Sequence, residues 1–258
     1  SIEARVLAWL SGEAAIVDVF RTHGKLYEHT ASQIYGVDIE AVDEEQRFVG
    51  KTAALALGYQ GGSKAFQKMA KQFGTDISEV RAKHIVKQWR GVNPAIVRFW
   101  SNIERAAISA TQGKGTTYTV QGIKFRASGD WLKCRLLSGR LLSFYHPKVV
   151  SGDYGSDQLQ YEGTNSLTRA WEAQVTYGGR LTENIVSAIA RDLLATAMVR
   201  LDNAGYDLVL SVHDEHIAEV NKAFGSLQDF IDIMCKLPAW AEGLPVSAKG
   251  FEAQRYRK

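Results

Sequence analysis

The chain has 258 residues, of which 45% are hydrophobic and 23% are charged, so it can build a sizeable buried core and is not a disordered protein. Its 31 lysine and arginine residues against 28 acidic ones leave a net charge of only +3, so any contact with nucleic acid must depend on local clusters of cations. The two cysteines stand far apart, and no apolar run approaches the roughly 18 residues of a membrane span, which predicts a soluble, reduced, cytoplasmic protein.

The first part of the chain is predicted to be mainly helical. Gly24 and Gly36 stand where the second and third helices would end, since glycine is common at helix C-termini. Asp76 and Glu79 provide a start signal for a later helix, and Pro94 takes a position that is favoured in a first helical turn. The predicted helices cover residues up to 11, 13–23, 26–36, 43–62, 63–74, 76–91 and 94–113.

The pattern changes at about Thr116, where the hydrophobic period becomes two and predicts a small insertion of antiparallel strands. A long amphipathic helix follows over residues 182–205. Two strands of a hairpin then flank residues 213–215, and Ser226 is placed to cap a last helix. The expected fold class is α+β. The strands of the insertion are predicted within residues 116–128, 131–145 and 158–163.

A stripe of side chains on the predicted helix 43–62 combines two cations with two larger groups. Its members recur at steps of four residues: Arg47, Lys51, Leu55 and Tyr59. A guanidinium and an ammonium one turn apart near a helix N-terminus can bind a polyphosphate. The alternative is a solvated basic edge on a core helix. Gly50 and Gly58 favour the binding interpretation, because an interior glycine costs about 1 kcal/mol relative to alanine and indicates close approach by another molecule.

An acidic pair, Asp214 and Glu215, follows His213 at the bend of the predicted hairpin. Adjacent carboxylates at such a bend could present oxygens to Mg²⁺, which prefers carboxylate, water and phosphate ligands. The alternative is a solvated surface turn, where aspartate is common. The strand "LVLSV" before the pair favours a metal site, because a strand this apolar is expected at the centre of a sheet.

Aromatic and basic residues elsewhere are interpreted conservatively. The chain contains six tryptophans, and Trp89, Trp100 and Trp171 are expected to be core or interface anchors rather than base-stacking surfaces. Basic groups around Arg135 and Arg140 could contact phosphates, but a charged solvated surface is the default expectation.

The polymerase motifs of the family A, or DNA polymerase I-like, DNA polymerases resemble three stretches of this chain in order and in approximate separation. The three stretches are "SIEARVLAWLSGE", "RFVGKTAALALGYQGG" and "SVHDEHIAEV". Intervening segments resemble the phage and prophage branch: "RGVNPAIVRFW", "LLSGRLLSFY" and "ENIVSAIARDLL". The resemblance covers the whole chain and implies a right-hand polymerase with an antiparallel palm sheet and mainly helical fingers. It implies palm at residues 1–20 and 166–258, with fingers and the β insertion at 21–165.

The activity implied by this resemblance is template-directed addition of dNTPs to a primer on primer-template DNA, with two Mg²⁺ ions. Asp214, Glu215 and Lys51 would be the catalytic groups, and the two acids would bind metal. Glu3 would exclude ribonucleotides by crowding the sugar 2′ position. The residues implied to bind the nucleotide are Glu3, Tyr27, Arg47, Lys51, Leu55 and Tyr59. Those implied to contact DNA are Arg5, Ser187, Arg191 and His213.

Several positions depart from the family pattern. Leu55 replaces an aromatic residue, Tyr27 a phosphate-binding histidine and Ser187 a glutamine that many relatives carry at these positions. The family's first motif begins with a metal-bridging aspartate three residues before the position of Ser1, and the chain does not contain it. We therefore expect an amino-terminally truncated portion that is inactive alone and needs an amino-terminal polymerase segment, with the thumb and first palm strand, in cis or in trans.

Two other functions fit parts of the sequence. A catalytically inactive module derived from a polymerase would still bind DNA or a protein partner through the fingers. A metal-dependent hydrolase centred on Asp214 and Glu215 would use the hairpin, but it would leave the cations of the helical stripe without a role.

Overall fold

The computed structural model describes residues 2–152 and 155–256. The chain has an α+β fold, as predicted, with a helical first part, a sheet, a long helix and a final hairpin. The helices are α1 (Ile2–Ser11), α2 (Ala14–Arg21), α3 (Leu26–Tyr35), α4 (Glu44–Leu57), α5 (Ser63–Gln72), α6 (Glu79–Val92), α7 (Pro94–Gln112), α8 (Gly178–Asn203) and α9 (Leu227–Cys235). The strands are β1 (Thr117–Val120), β2 (Ile123–Ser128), β3 (Trp131–Arg135), β4 (Leu141–Ser151), β5 (Asp157–Thr164), β6 (Trp171–Thr176), β7 (Leu208–Val212) and β8 (Glu215–Ala218).

The predicted helix boundaries are mostly confirmed, and the caps give the reason. Gly36 ends α3 in a left-handed conformation with φ 67°, which glycine adopts without steric cost. Pro94 opens α7, as predicted. The start signal predicted for α6 is wrong in its residue, because the Ser78 side chain accepts the hydrogen bond from the Arg81 backbone N–H.

Helices α3 and α4 pack at very short range through Gly50. A Cβ at this position would lie 2.1 Å from the Tyr27 carbonyl oxygen and 2.8 Å from the Ala31 backbone nitrogen. A Cβ at Gly58 would lie 3.2 Å from Leu7 Cδ2 on α1. Packing within the chain therefore accounts for both glycines, and the expectation that another molecule approaches them is wrong.

The start of α7 is held by a buried carboxylate from the front of the chain. Glu13 Oε2 accepts hydrogen bonds from the backbone N–H groups of Ala95 at 2.9 Å and Ile96 at 3.3 Å. A carboxylate in this position satisfies orphan donors and interacts favourably with the helix dipole. Trp100, further along α7, stacks on Trp89 of α6 with ring centroids 6.1 Å apart, and both rings are buried core anchors, as predicted.

Strands β1 to β6 form one antiparallel sheet in sequential order, which is larger than the small insertion predicted. One face packs against α7 and contains the buried side chains Ile123, Phe125, Leu132, Cys134, Phe144 and Leu159. The opposite face is exposed on β2 and β3, where buried and exposed positions alternate strictly. Trp171 lies on β6 with 60% of its surface exposed, so it is not a core anchor, and the expectation of an interface anchor stays a prediction.

Strands β7 and β8 form a separate two-stranded sheet. Val209 and Leu210 of β7 are 53% and 47% exposed. The expectation that β7 lies at the centre of a sheet is therefore wrong for the described part of the chain, where it pairs with β8 alone. None of the helices within residues 2–152 and 155–256 is both long and apolar enough to cross a bilayer.

Candidate functional site

A basic cavity lies where α1, α2, α3 and the start of α4 meet. Its volume is about 320 Å³. The polar side chains in its lining carry more positive than negative groups: Arg5, His23, Lys25, Tyr27, Glu28 and Arg47. Asp43 caps α4 at this end, where its side chain accepts from the Gln46 backbone N–H at 2.8 Å. The cavity therefore brings three of the predicted residues, Arg5, Tyr27 and Arg47, to one place.

Arg47 forms an ion pair across the cavity. Its Nε lies 2.6 Å from Glu28 Oε1, and its guanidinium stands 5.6 Å from the centre of the Tyr27 ring. Partial burial pushes the pKa of Glu28 upward, but the hydrogen bond and charge of Arg47 outweigh this and hold that pKa below its usual value. An anion that binds Arg47 must therefore compete with Glu28.

Lys51 lies one turn further along α4, outside the lining of this cavity. Its Nζ stands 4.9 Å from the centre of the Phe73 ring, a cation–π contact. Leu55 follows on the same stripe and is 42% exposed. The stripe is therefore an accessible edge of α4, and its two cations occupy different surroundings.

A second group of predicted residues meets between α1, α8 and the turn that follows α4. The Ser187 hydroxyl donates to Glu3 Oε1 at 2.6 Å. The Tyr59 phenol lies close to the same carboxylate, and its pKa is raised first by burial and then by the charges of Glu3 and Glu183. Helix α8 approaches the turn after α4 closely here, since a Cβ at Gly179 would lie 2.3 Å from the Tyr59 carbonyl oxygen. Glu3, Tyr59 and Ser187 thus form one cluster although they are distant in sequence.

Arg5 connects the basic cavity to the last part of the chain. Its Nη1 donates to the Pro245 carbonyl oxygen at 3.0 Å, and its Nη2 donates to Ser247 Oγ at 2.9 Å. The guanidinium also stands 4.5 Å from the centre of the Phe20 ring. Burial lowers the pKa of Arg5 from its usual value. Arg5 therefore serves internal packing and also presents a cation to the cavity.

The acidic pair lies at the tip of the β7–β8 hairpin. His213 adopts φ 56° at the turn, a left-handed conformation that is uncommon for residues other than glycine. Asp214 is exposed, and Glu215 Oε2 accepts from the Tyr256 hydroxyl at 3.3 Å. Neither carboxylate lines the basic cavity, and the described residues contain no group of three or more histidine, cysteine, aspartate or glutamate side chains placed to hold a metal ion. Arg191 is exposed on α8.

Three residues that the sequence analysis did not predict are partners of the predicted site residues. Glu28 pairs with Arg47, Tyr256 bonds to Glu215, and Glu183 acts on Tyr59. Each partner is distant in sequence from the residue it contacts, so no local pattern could have identified it. Such partners could be found by comparing related sequences, but not from residue spacing within one sequence.

Comparison with known proteins identifies the class. The sequence profile of DNA polymerase family A matches residues 1–129. The chain is 41% identical over 261 aligned residues to the DNA polymerase of Bacillus phage SP02, covering 100% of this chain and 40% of that protein. It is 28% identical over 224 residues to the thermostable DNA polymerase I of Thermus filiformis, covering 85% of this chain and 21% of that protein.

A solved structure shares the fold. The POL domain of Pol1 from M. smegmatis, in complex with DNA primer-template and dNTP, superposes with a TM-score of 0.60 and 20% sequence identity over 96% of this chain and 37% of that chain. The fold is therefore that of a polymerase domain. The chain belongs to DNA polymerase family A. Its match to a phage polymerase over its whole length places it in the phage branch of that family. It spans 40% of the phage relative.

Proposed function

We propose that this chain forms the nucleotide-binding fingers and the carboxyl-terminal part of the palm of a template-directed DNA polymerase. The observation that carries the proposal is the basic cavity at the start of α4 together with the Glu3, Tyr59 and Ser187 cluster just beyond the end of the same helix. In the reaction, the primer 3′ oxygen forms a bond to the α-phosphorus of a dNTP, the bond to pyrophosphate breaks, and the hydroxyl proton passes to solvent.

Arg47 and Lys51 are proposed to bind the triphosphate. A phosphate oxygen can replace the Glu28 carboxylate on the Arg47 guanidinium, because both are anions that accept charge-assisted hydrogen bonds. Lys51 is half-buried beside Phe73 and brings a second positive charge one helical turn away. Their charges would neutralise the departing pyrophosphate. Tyr27, already within reach of Arg47, would border the same phosphates.

Glu3, Tyr59 and Leu55 are proposed to border the sugar and base of the nucleotide. The hydrogen bond from Ser187 fixes the Glu3 carboxylate, and a fixed side chain can reject a ribose 2′ hydroxyl by occupying its volume. Tyr59 follows in the turn just after α4, where it would lie beside the templating base. The exposed Leu55 side chain offers an apolar contact.

Asp214 and Glu215 are proposed to hold Mg²⁺. Their carboxylate oxygens are the ligand type that this hard cation prefers, and Asp214 is accessible. When bound, the metal would supply charge stabilisation at the reacting phosphate. Within the described residues these two acids lack a third partner, so we propose that an amino-terminal polymerase segment supplies a further carboxylate. The exposed apolar residues of β7 support such an added segment.

Primer-template DNA is proposed to lie along the hairpin and α8. His213 at the turn would border the primer terminus, and Arg191 on the exposed side of α8 offers a phosphate contact. Ser187 and Arg5 would be at the inner boundary of this surface. Their present hydrogen bonds, to Glu3 and to the 245–247 segment, support positioning roles for both.

Primer extension tests this proposal. We expect the 258-residue chain to extend a primed template only when it is joined to the amino-terminal part of a family A relative, with Mg²⁺ and dNTPs present. Robust extension by the chain alone would contradict the need for an added segment.

A catalytically inactive binding module is the second candidate, and the lack of a third metal ligand in the described residues favours it. Arg47→Ala separates the two functions. A polymerase should lose dNTP affinity in this variant, whereas a binding module should keep its affinity for its partner.

A further inference from the structure

We propose that the exposed face of the β1–β6 sheet binds single-stranded nucleic acid. We name this face the sheet platform and define it by two groups of side chains. The cation group is Lys124, Arg126, Lys133 and Arg135, and the aromatic group is Trp131, Tyr145 and Trp171. The proposal does not depend on the polymerase reaction, because none of these residues belongs to the sites described above.

The cations of the platform are arranged in rows that repel one another. Lys124 lies directly opposite Arg135 and Arg126 directly opposite Lys133 in the β2–β3 register. Like charges in directly opposite positions destabilise a sheet. In residues 2–152 and 155–256, none of the four takes part in an ion pair or a side-chain hydrogen bond. A polyanion lying across both strands would offset this repulsion.

The aromatic group continues the same face beyond the cations. Trp131 precedes Lys133 by two residues on β3, so the two side chains leave the strand on the same side. Its ring centroid lies 4.8 Å from that of Tyr145, and the Tyr145 centroid lies 6.2 Å from that of Trp171. Trp131 and Trp171 are 40% and 60% exposed. Exposed rings beside a basic track are the features with which proteins stack single-stranded bases.

A carboxylate lies within the aromatic group, on the strand between Tyr145 and Trp171. Glu162 lies opposite Tyr145 in the β4–β5 register, accepts from Trp171 Nε1 at 3.4 Å and lies 3.1 Å from His146 Nδ1. Its negative charge disfavours phosphates over the aromatic group. We therefore place the phosphates over the cation group and the bases over the rings. An acidic protein segment would use the cations but would give the exposed tryptophans no role.

The test is anisotropy of a labelled deoxythymidine oligonucleotide of about 16 nucleotides, titrated with the full chain in EDTA and without dNTPs. Arg126→Gln/Lys133→Gln should weaken binding by about tenfold or more and reduce the slope of log K against log salt by about 1.4, since each phosphate contact to a single strand contributes about 0.7. Trp171→Ala should weaken binding by about fivefold or more through lost stacking. The control Lys87→Gln/Lys222→Gln removes two exposed cations elsewhere and should bind like the parent chain.

The outcomes separate the possible ligands. An oligouridine RNA with the same losses in the variants supports the proposal with RNA as the strand. Equal binding of a duplex of the same length, effective competition by polyglutamate, or unchanged affinity in the variants would each overturn it. Circular dichroism is used to check that the variants fold. The double variant Arg126→Gln/Lys133→Gln should not have a lower melting temperature, because it removes repulsion between like charges. Failure here would leave the primer-extension result unaffected, since the binding assay contains neither Mg²⁺ nor nucleotide.

Discussion

Arg47 and Glu28 form an ion pair that would compete with the nucleotide we propose for this cavity. The 2.6 Å pair occupies the guanidinium within the basic cavity. An exposed pair of this kind contributes about 0–1 kcal/mol, so a triphosphate can displace the carboxylate at a small cost. Glu28 thus partly neutralises the charge of Arg47 but leaves the basic cavity accessible to an anion.

Removal of the Glu28 charge should therefore strengthen nucleotide binding. We expect Glu28→Gln to lower the Kd for a fluorescent dNTP by up to about fivefold, and Arg47→Ala to raise it by about tenfold or more. Glu45→Gln is a matched control, because Glu45 pairs with Arg81 outside the cavity. Weaker binding in Glu28→Gln would show that Glu28 supports the site rather than competing with its ligand.

Tyr59 makes a prediction about alkaline stability. Burial and the nearby carboxylates raise its folded-state pKa above the usual value of about 10. The folded state therefore holds the phenol proton more tightly than the unfolded state. The resulting contribution to the free energy of unfolding is fully present below pH of about 10 and is lost as the pH rises further.

Tyr59→Phe cannot ionise and should remove this loss. In urea titrations, the free energy of unfolding of the parent chain should fall more steeply above pH of about 10 than that of Tyr59→Phe. Tyr118→Phe, at a half-buried tyrosine on β1, is the comparison variant. Parallel curves for the parent and Tyr59→Phe would contradict the assigned environment of Tyr59.

At the scale of elements, the packing of α3 on α4 depends on the absence of a side chain at Gly50. A methyl group there would overlap the Tyr27 carbonyl oxygen, and overpacking of this kind costs about 1–3 kcal/mol. Gly91 in α6 offers the matched control, because a Cβ at this position meets nothing within 4 Å. We expect Gly50→Ala to destabilise the chain in urea denaturation, whereas Gly91→Ala should stabilise it by about 0.4–1 kcal/mol. The same sign for both variants would contradict the packing argument.

The cap on α7 gives a second prediction at this scale. Glu13→Ala removes the acceptor of two backbone N–H groups and should lower the free energy of unfolding by about 1.5–3 kcal/mol in urea denaturation. Glu79→Ala is the control, because it removes a carboxylate from the exposed first turn of α6, where its partner is the exposed Lys83. We expect the control to unfold close to the parent chain, since an exposed ion pair contributes little. Equal losses in both variants would contradict the special role of the buried carboxylate.

Helix ends were predictable because local chemistry determines them, whereas strand partners were not. The backbone preferences of Gly36 and Pro94 favour a helix end and a helix start, respectively. The environment of β7 depends on which strands are available to pair with it. Its apolar sequence would be the same at the centre of a sheet as in a two-stranded hairpin. The role of Gly50 was unpredictable for the same reason, because the α3 backbone that excludes a side chain is distant in sequence.

At the scale of the whole molecule, the predicted site residues fall into separate groups. Arg5, Tyr27 and Arg47 share the basic cavity, and Glu3, Tyr59 and Ser187 share the cluster between three helices. Asp214 and Glu215 stand apart on the hairpin. The sequence motifs predicted the candidate residues, but the way these residues group in space depends on long-range packing. We propose that a polymerase assembled from these groups depends on metal binding by the carboxylates of the hairpin.

The most direct test of that claim is the Asp214→Asn variant, measured by Mg²⁺-dependent primer extension after the chain is joined to the amino-terminal part of a family A relative. Asp207→Asn is the matched control, an exposed aspartate just before β7. We predict that Asp214→Asn loses extension by about a hundredfold or more, because losing a ligand should cost at least as much as the roughly 10- to 100-fold loss typical of an outer-shell partner, while Asp207→Asn retains extension. Equal extension by both variants would show that Asp214 does not hold the catalytic metal.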